Sequence, residues 1–389
     1  MQGAKKGGFM SRILLSTSRY VQGPGALAEI GEHAARLGDS AFAIGGRTAL
    51  SICGTTLETS LKEKSLSYGQ EQFQGVSSRR EISRLAALAN EQGANIIIAL
   101  GGGASIDAGK AVSHEMGLPV IVIPTTVATD APCSALSVVY TEEGVFESYL
   151  SLRKNPDCVL VDTTIIANSP ARFLVAGMGD AVAGFWESGT VTRSGKPNSF
   201  SGGETPTLAV MAITRCCYET LLESGLQAKI ALERKAVTPA VEAVVEANTL
   251  LSGLSSENGG HAGAHSIHNG LTTLPATQKK LHGEKVAFGL LAQLVLEGRS
   301  SRNIGEVQDF CFRVGLPICL EELNLSNPSA EEIRTVAETA VAEGETIHAT
   351  WFPVTADLVE AAIWTADALG IAYKMEKCSR ATPPRQTAG

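Results

Sequence analysis

A chain of 389 residues with 44% hydrophobic and 19% charged content has an ordinary globular composition and is long enough for two domains with separate cores. Its formal net charge of −8 and pI near 5.5 exclude a broad basic face, so no nucleic acid is expected as a partner. No apolar run approaches the roughly 20 residues of a membrane span, so no membrane is expected either.

The first nine residues, MQGAKKGGF, are basic and Gly-rich without the apolar stretch of a signal peptide, and read as a disordered or tag-like arm. Over 10–168, short apolar runs alternate with helical patterns. The runs 41–45 (AFAIG), 95–100 (NIIIAL), 119–123 (PVIVI) and 158–161 (CVLV) show no polar alternation. Strands of that kind are buried on both faces, as in a parallel sheet between helix layers. Helical periodicity appears at 80–92 and 105–116, and 136–140 with 147–152 reads as an added antiparallel hairpin. Together these predict an α/β N-terminal domain with a doubly wound, mostly parallel sheet.

Beyond Pro170 the strand signals stop. Ala/Leu/Glu-rich stretches at 207–223, 226–254, 284–297, 330–344 and 356–374 predict an all-α C-terminal domain over 169–376, followed by a disordered tail, 377–389. Eight cysteines are scattered without CxxC or framework spacing. This predicts reduced thiols, a cytoplasmic location and no zinc–thiolate site.

The apolar run 95–100 leads into Gly101-Gly102-Gly103-Ala104-Ser105-Ile106-Asp107 and then a helix. Glycines there let backbone approach a pyrophosphate, and the helix N-terminus offers N–H groups and a positive dipole end. A tight βα turn with Ser105 as helix cap would show the same pattern. A second loop, Pro124 to Ser134 (PTTVATDAPCS), follows 119–123 at the sheet edge where open α/β proteins bind ligands. It is dense in hydroxyls and carries one carboxylate, although Asp130 ahead of Pro132 also suits a hydrogen-bonded turn.

Of the seven histidines, His265 and His282 lie 17 positions apart, His268 follows His265 by three, and His261 precedes it by four. Asp180 ends the run AGMGD and, taken alone, reads as the N-cap of a helix that begins after it. Two imidazoles and one carboxylate are enough for a catalytic zinc with an open position. Spacing leaves two choices open: ligands or satisfied core imidazoles, and His265 or His268. His33, His114 and His348 have no such company.

At this point whole motifs accumulate. RYVQG (19–23), GGGxxxD (101–107), TDAPCSALSVVYTEEG (129–144), NPDCVLVD (155–162), ARFLVAGMGDA (171–181), TPAVEAVVEANTLLSG (238–253), AHSIHNGLT (264–272), HGEKVAFG (282–289) and AEGETIH (342–348) spread over residues 10 to about 375. In these the chain resembles the bacterial zinc-dependent glycerol dehydrogenases of the iron-containing alcohol dehydrogenase superfamily. The resemblance implies a dehydroquinate synthase-like fold, a homo-oligomer as large as an octamer, and oxidation of glycerol or a related vicinal diol to dihydroxyacetone by metal-assisted hydride transfer to NAD. It implies zinc on Asp180, His265 and His282. The diphosphate would lie on Gly103, Ala104, Ser105, Ile106 and Asp107, with Gly102 beside them. Thr125, Thr126, Ala128, Ser134, Leu136 and Tyr140 would contact the rest of the dinucleotide. Asp130 would hold a polyol hydroxyl, and His268 would relay a proton or support a ligand.

Three departures stand out. Ala104 replaces the usual Lys. Gly46, followed by Arg47, replaces the usual Asp at the adenosine ribose. An acid there favours a free 2′-OH and an Arg accommodates a 2′-phosphate, so NAD is the expected cofactor with relaxed selectivity or NADP as the alternative. His261 stands where the family more often has an apolar residue and has no assigned role. The Asp-His-His set would also accept Fe(II) or Mn(II). The alternative functions are another polyol or phosphopolyol dehydrogenase, or a metal- and NAD-dependent sugar-phosphate cyclase. A cyclase needs Lys or Arg near the metal, and only Lys279, Lys280 and Lys285 are close in sequence.

Overall fold

The computed structural model describes residues 11–198, 200–201 and 205–381; the arm 1–9 and residues 382–389 lie outside them. The N-terminal part contains β1 (Tyr20–Gly23), α1 (Ile30–Ala34), β2 (Ser40–Gly45), α2 (Arg47–Glu63), β3 (Ser67–Gln72), α3 (Arg79–Glu91), β4 (Ile96–Gly101), α4 (Gly103–Met116) and β5 (Val120–Pro124). The hairpin β6 (Leu136–Tyr140) and β7 (Phe146–Ser151), then β8 (Cys158–Asp162) and α5 (Thr163–Asn168), complete it.

Six strands form one sheet in the order β1-β8-β5-β4-β2-β3, parallel throughout. β4, β5 and β8 are buried at every residue, and β2 at all but Ser40. Along β4 the side chains alternate between two cores. Ile96, Ile98 and Leu100 pack with Leu57 and Leu61 of α2, whereas Ile97 and Ala99 pack with Leu85 of α3 and Val112 of α4. Each such fully buried Ile or Leu contributes roughly 1.5–3 kcal/mol. The two edge strands carry no comparable signal: β3 is SYGQEQ, with no residue buried, and β1 is short and half-buried.

The chain leaves β2 toward β3 and leaves β4 toward β5, in opposite directions across the sheet. The switch point therefore lies between β2 and β4, and the crevice outside their carboxyl ends is where such sheets bind ligands. Gly46 and the glycines 101–103 sit there.

The C-terminal part is helical: α6 (Ala171–Ser194), α7 (Leu208–Glu233), α8 (Pro239–Glu246), a π-helical turn at Ala247–Leu251, α9 (Ser252–Gly259), α10 (Gly263–Thr272), α11 (His282–Leu296), α12 (Ser301–Val314), α13 (Ala330–Ala340) and α14 (Ala356–Ala381). Three boundaries differ from the sequence reading. α7 runs unbroken through Gly225, because that glycine serves packing: a Cβ there would lie 2.9 Å from the Phe310 ring and 3.0 Å from Met178 Sδ. The stretch 226–254 is instead cut before Pro239, where Thr238 caps α8 by accepting from Val241 N. α14 continues past residue 376, because Tyr373 and Lys377 donate to Asp309 of α12 at 2.5 and 2.9 Å. Among the described residues no helix is long and apolar enough to cross a membrane.

Candidate active site between the two domains

Asp180 lies in the middle of α6 and is not its N-cap; the helix starts at Ala171, after Pro170. The glycines around Asp180 explain the difference. A Cβ on Gly179 would lie 2.3 Å from Gly283 O, and one on Gly283 only 1.8 Å from Ala176 O. On Gly289 it would lie 2.4 Å from Ala264 O. Thus α6 crosses α11, and α11 crosses α10, with backbone against backbone. These crossings bring Asp180, His265 of α10 and His282 at the first turn of α11 to one point.

There, Asp180 Oδ1 lies 3.3 Å from Nε2 of His265 and 3.3 Å from Nε2 of His282. The three donor atoms are all within 4.8 Å of one another. Each histidine is also held from behind. His265 Nδ1 is 2.6 Å from Glu187 Oε2, while Glu187 Oε1 accepts from Ala262 N at 2.8 Å and His265 N at 3.1 Å. His282 Nδ1 is 2.9 Å from His268 Nε2. The outer nitrogens are therefore engaged and the inner ones converge with a carboxylate. The residues fit a divalent metal that takes two imidazoles and one oxygen.

The electrostatics agree. Burial disfavours charge on Asp180, but the imidazoles of His282 and His265 outweigh it and hold its carboxyl well below the usual carboxylate range. Burial also opposes charge on His265, yet Glu187 and Asp180 push it up to about 10. In His268, burial combines with His282, Lys285 and His265 to drive the imidazole well below its ordinary value. With both ring nitrogens bonded, to His282 and to Asn269 Oδ1, His268 stands behind His282.

His261, pushed down to about 3 by burial, stacks on His265 with ring centroids 3.6 Å apart and meets Phe200 in an edge-type contact at 4.8 Å. Its Nε2 has no partner among the described residues. It borders a cavity of about 280 Å³ shared with Lys196, Asn198, Glu345, Thr346 and His348.

At the carboxyl end of β4, Gly101 has φ +128°, and a Cβ there would strike Ser105 Oγ at 2.5 Å. Cβ atoms on Gly102 and Gly103 would come within 3.6 Å of Thr126 Oγ1 and 3.5 Å of Thr129 Oγ1. The glycine turn and the hydroxyl-rich loop thus face each other across a narrow cradle. Thr125 N, donating to Gly101 O at 2.9 Å, ties the two together.

α4 has no side-chain cap, and its ladder begins with Ile106 N to Gly102 O at 3.1 Å. The amides ahead of that bond, on Gly103, Ala104 and Ser105, are the ones a diphosphate would meet. Ser105 is no cap: its hydroxyl donates to Leu100 O and Gly102 O at 2.9 and 3.0 Å. Ile106 belongs to the core. The Asp107 carboxylate turns inward to Lys110 Nζ at 3.3 Å. Lys110 is fully buried and donates to Ala131 O at 2.7 Å, Ser134 O at 3.4 Å and Leu136 O, fixing the far side of the loop. Thr125, Thr126, Ala128, Ser134, Leu136 and Tyr140 are all half-buried along that loop and the hairpin. At Gly46 a Cβ would meet nothing within 4 Å.

Asp130 joins the two halves. Ser256 of α9 donates to its Oδ2. Burial, reinforced by the charge of Asp180, raises its carboxyl to about 6. Gly253 lets α9 approach closely: a Cβ there would lie 2.8 Å from Cys133 Cβ. Glu257, one residue after Ser256, accepts from Ala135 N at 3.0 Å and Asn155 Nδ2 at 2.5 Å, locking loop to helix. Sequence reasoning missed Glu187, Ser256, Glu257 and Lys110. Glu187 alone left a trace, two helical turns after Asp180 on the same face. Cys53, Cys133, Cys158, Cys216, Cys217, Cys311 and Cys319 are free thiols, and no cysteine joins the metal group.

The sequence pattern described as iron-containing alcohol dehydrogenase matches residues 17–163. A glycerol dehydrogenase of Citrobacter freundii is 45% identical over 93% of this chain and 98% of its own. A glycolaldehyde reductase of Halobacterium salinarum is 44% identical over the same shares, 93% and 98%. The crystal structure of glycerol dehydrogenase from Schizosaccharomyces pombe superposes with a TM-score of 0.90 at 34% identity, over 95% of this chain and 93% of that one. With relatives this similar across nearly the whole length, the chain belongs to the glycerol dehydrogenase family of the iron-containing alcohol dehydrogenases.

Proposed function

We propose that the chain oxidises glycerol, or a related vicinal diol, to the hydroxyketone (dihydroxyacetone from glycerol), with NAD as acceptor and a divalent metal, zinc foremost, on Asp180, His265 and His282. The observation that carries this reading is their convergence at the cleft that also holds Asp130 and the glycine cradle. A divalent metal bound there supplies Lewis acidity, which makes a nearby hydroxyl a stronger acid. A nicotinamide dinucleotide held at the glycine cradle would supply the hydride acceptor for the carbinol carbon. The chain's own residues position and select. Glu187 and His268 orient the two imidazoles. Ser256 fixes one oxygen of Asp130 and leaves the other to accept from the hydroxyl beside the reacting one, which demands a vicinal diol. His268, with both nitrogens bonded, supports His282, and the proton-relay role is secondary.

The open space at Gly46, with exposed Arg47 next to it, supports relaxed selectivity between NAD and NADP. The name of the Halobacterium relative makes reduction of a two-carbon hydroxyaldehyde the second reading. A sugar-phosphate cyclase is not favoured: Lys279 is exposed, Lys280 half-buried, and Lys285 alone of the three is buried. A homo-oligomer, up to an octamer, is the assembly we assign, to be measured by light scattering. Elemental analysis, with a polyol panel under both dinucleotides, tests the whole reading. The expected result is one zinc per chain and reduction of NAD by glycerol. Absence of metal-dependent turnover on every vicinal diol would overturn it.

A further inference from the structure

The two histidines of the metal set are supported by different chemistry. Behind His265 stands a carboxylate, which only accepts and so requires a proton on Nδ1. Behind His282 stands a second imidazole, which at Nε2 either donates or accepts. His282 is a ligand through Nε2 only if His268 Nε2 accepts, so something must fix His268.

The next two contacts do so. His268 Nδ1 lies 3.0 Å from Asn269 Oδ1. Asn269 Nδ2 lies 3.1 Å from each carboxylate oxygen of Glu345. A carboxylate only accepts, so Asn269 must turn its amino group to Glu345 and its carbonyl oxygen to His268. That oxygen only accepts, so His268 carries its proton on Nδ1. A neutral imidazole then accepts at Nε2, from His282 Nδ1 at 2.9 Å. His282 Nε2 is left as a lone pair, 3.3 Å from Asp180 Oδ1.

We propose that Glu345, acting through Asn269 and His268, sets the tautomer of His282 and thereby its competence as a metal ligand. Glu345 and Asn269 are positioning residues that touch neither substrate nor metal. Both lie in motifs (AEGETIH and AHSIHNGLT) whose other members left them without a role. The inference rests on Asp180, His265 and His282 being the ligands.

The test is chelator competition for zinc on the purified full chain, with dinucleotide binding as the control for folding. Glu345 is half-buried in a surface segment, so its replacement leaves the core intact. Glu345→Ala and Asn269→Ala are expected to weaken zinc binding about 10–100-fold, the usual effect of losing an outer support. Glu345→Gln, whose amide oxygen still accepts from Asn269, is expected to restore affinity to within about threefold of the unsubstituted chain. The d–d spectrum of the cobalt-substituted protein should shift in both Ala variants and not in the Gln variant. Unchanged zinc affinity in either Ala variant overturns the proposal. So does a Gln variant as weak as Ala, because the charge of Glu345 and not its hold on the amide would then matter. Failure of the unsubstituted chain to bind zinc removes the ligand assignment itself, and this proposal with it.

Discussion

The two walls of the cleft are built from opposite materials. The helical wall presents ionisable side chains: Glu187, His265, Asp180, His282 and His268 meet in series, all but His282 buried, and are fixed by helices touching at glycines. The sheet wall presents almost no side chain. The surface it turns to the cleft is made of glycines, first-turn amides and threonine hydroxyls, while Ser105 and Asp107 spend their polar groups inward. A metal needs specific lone pairs at fixed positions, so each ligand requires its own support. A diphosphate needs N–H groups and room, which backbone supplies without side chains.

This contrast ranks the consequences of substitution. On the helical wall, His282→Ala should abolish metal binding and lower kcat/KM about a thousandfold or more, since a Lewis acid is worth several kcal/mol. Full activity without bound metal would break the assignment. At the junction, Asp130→Ala removes a hydrogen bond to a charged group. It should cost roughly ten- to hundredfold on glycerol and much less on a simple secondary alcohol. Equal losses on both would end its diol-reading role.

The same wall should titrate. His265 is raised to about 10, so in the metal-free chain it is protonated below that pH, and metal must displace the proton. Apparent zinc affinity should therefore rise about tenfold per unit between about pH 6 and pH 8. A flat profile would show that the metal-free imidazole is neutral. The sheet wall should be the most forgiving. Gly46→Asp introduces a Cβ into open space and should change stability by less than about 0.5 kcal/mol. By charge repulsion it should lower the kcat/KM ratio of NADP to NAD about tenfold. An unchanged ratio would show that the adenosine end is read elsewhere.

Legibility in the sequence followed the same division. β2, β4, β5 and β8 were readable because strands buried on both faces leave an apolar run. β3 was not, since an exposed edge strand written SYGQEQ has the polarity of a loop. Asp180 was recognisable as a ligand candidate but misplaced at a helix start, because Gly177 and Gly179 look like a turn. What they provide is clearance: a Cβ on Gly177 would lie 1.9 Å from Val127 O. Glu345 was invisible as a site residue, and Glu187 left only its helical register with Asp180, because their partners, Asn269 and His265, lie 76 and 78 positions away. Tertiary structure alone gives such pairs meaning: helix crossings for Glu187, and for Glu345 a turn brought against α10.

Those crossings set one further property. Between α6 and α11 no side chain intervenes at Gly179 and Gly283. The main chains that carry Asp180 and His282 therefore meet at a hard stop, set by their own thickness. A gap of that kind neither shrinks around a small ion nor stretches for a large one without unseating a helix. Zinc, ferrous iron and manganese would all meet the same aperture. Discrimination among them is left to their differing appetite for nitrogen over oxygen and to whichever ion the surroundings supply.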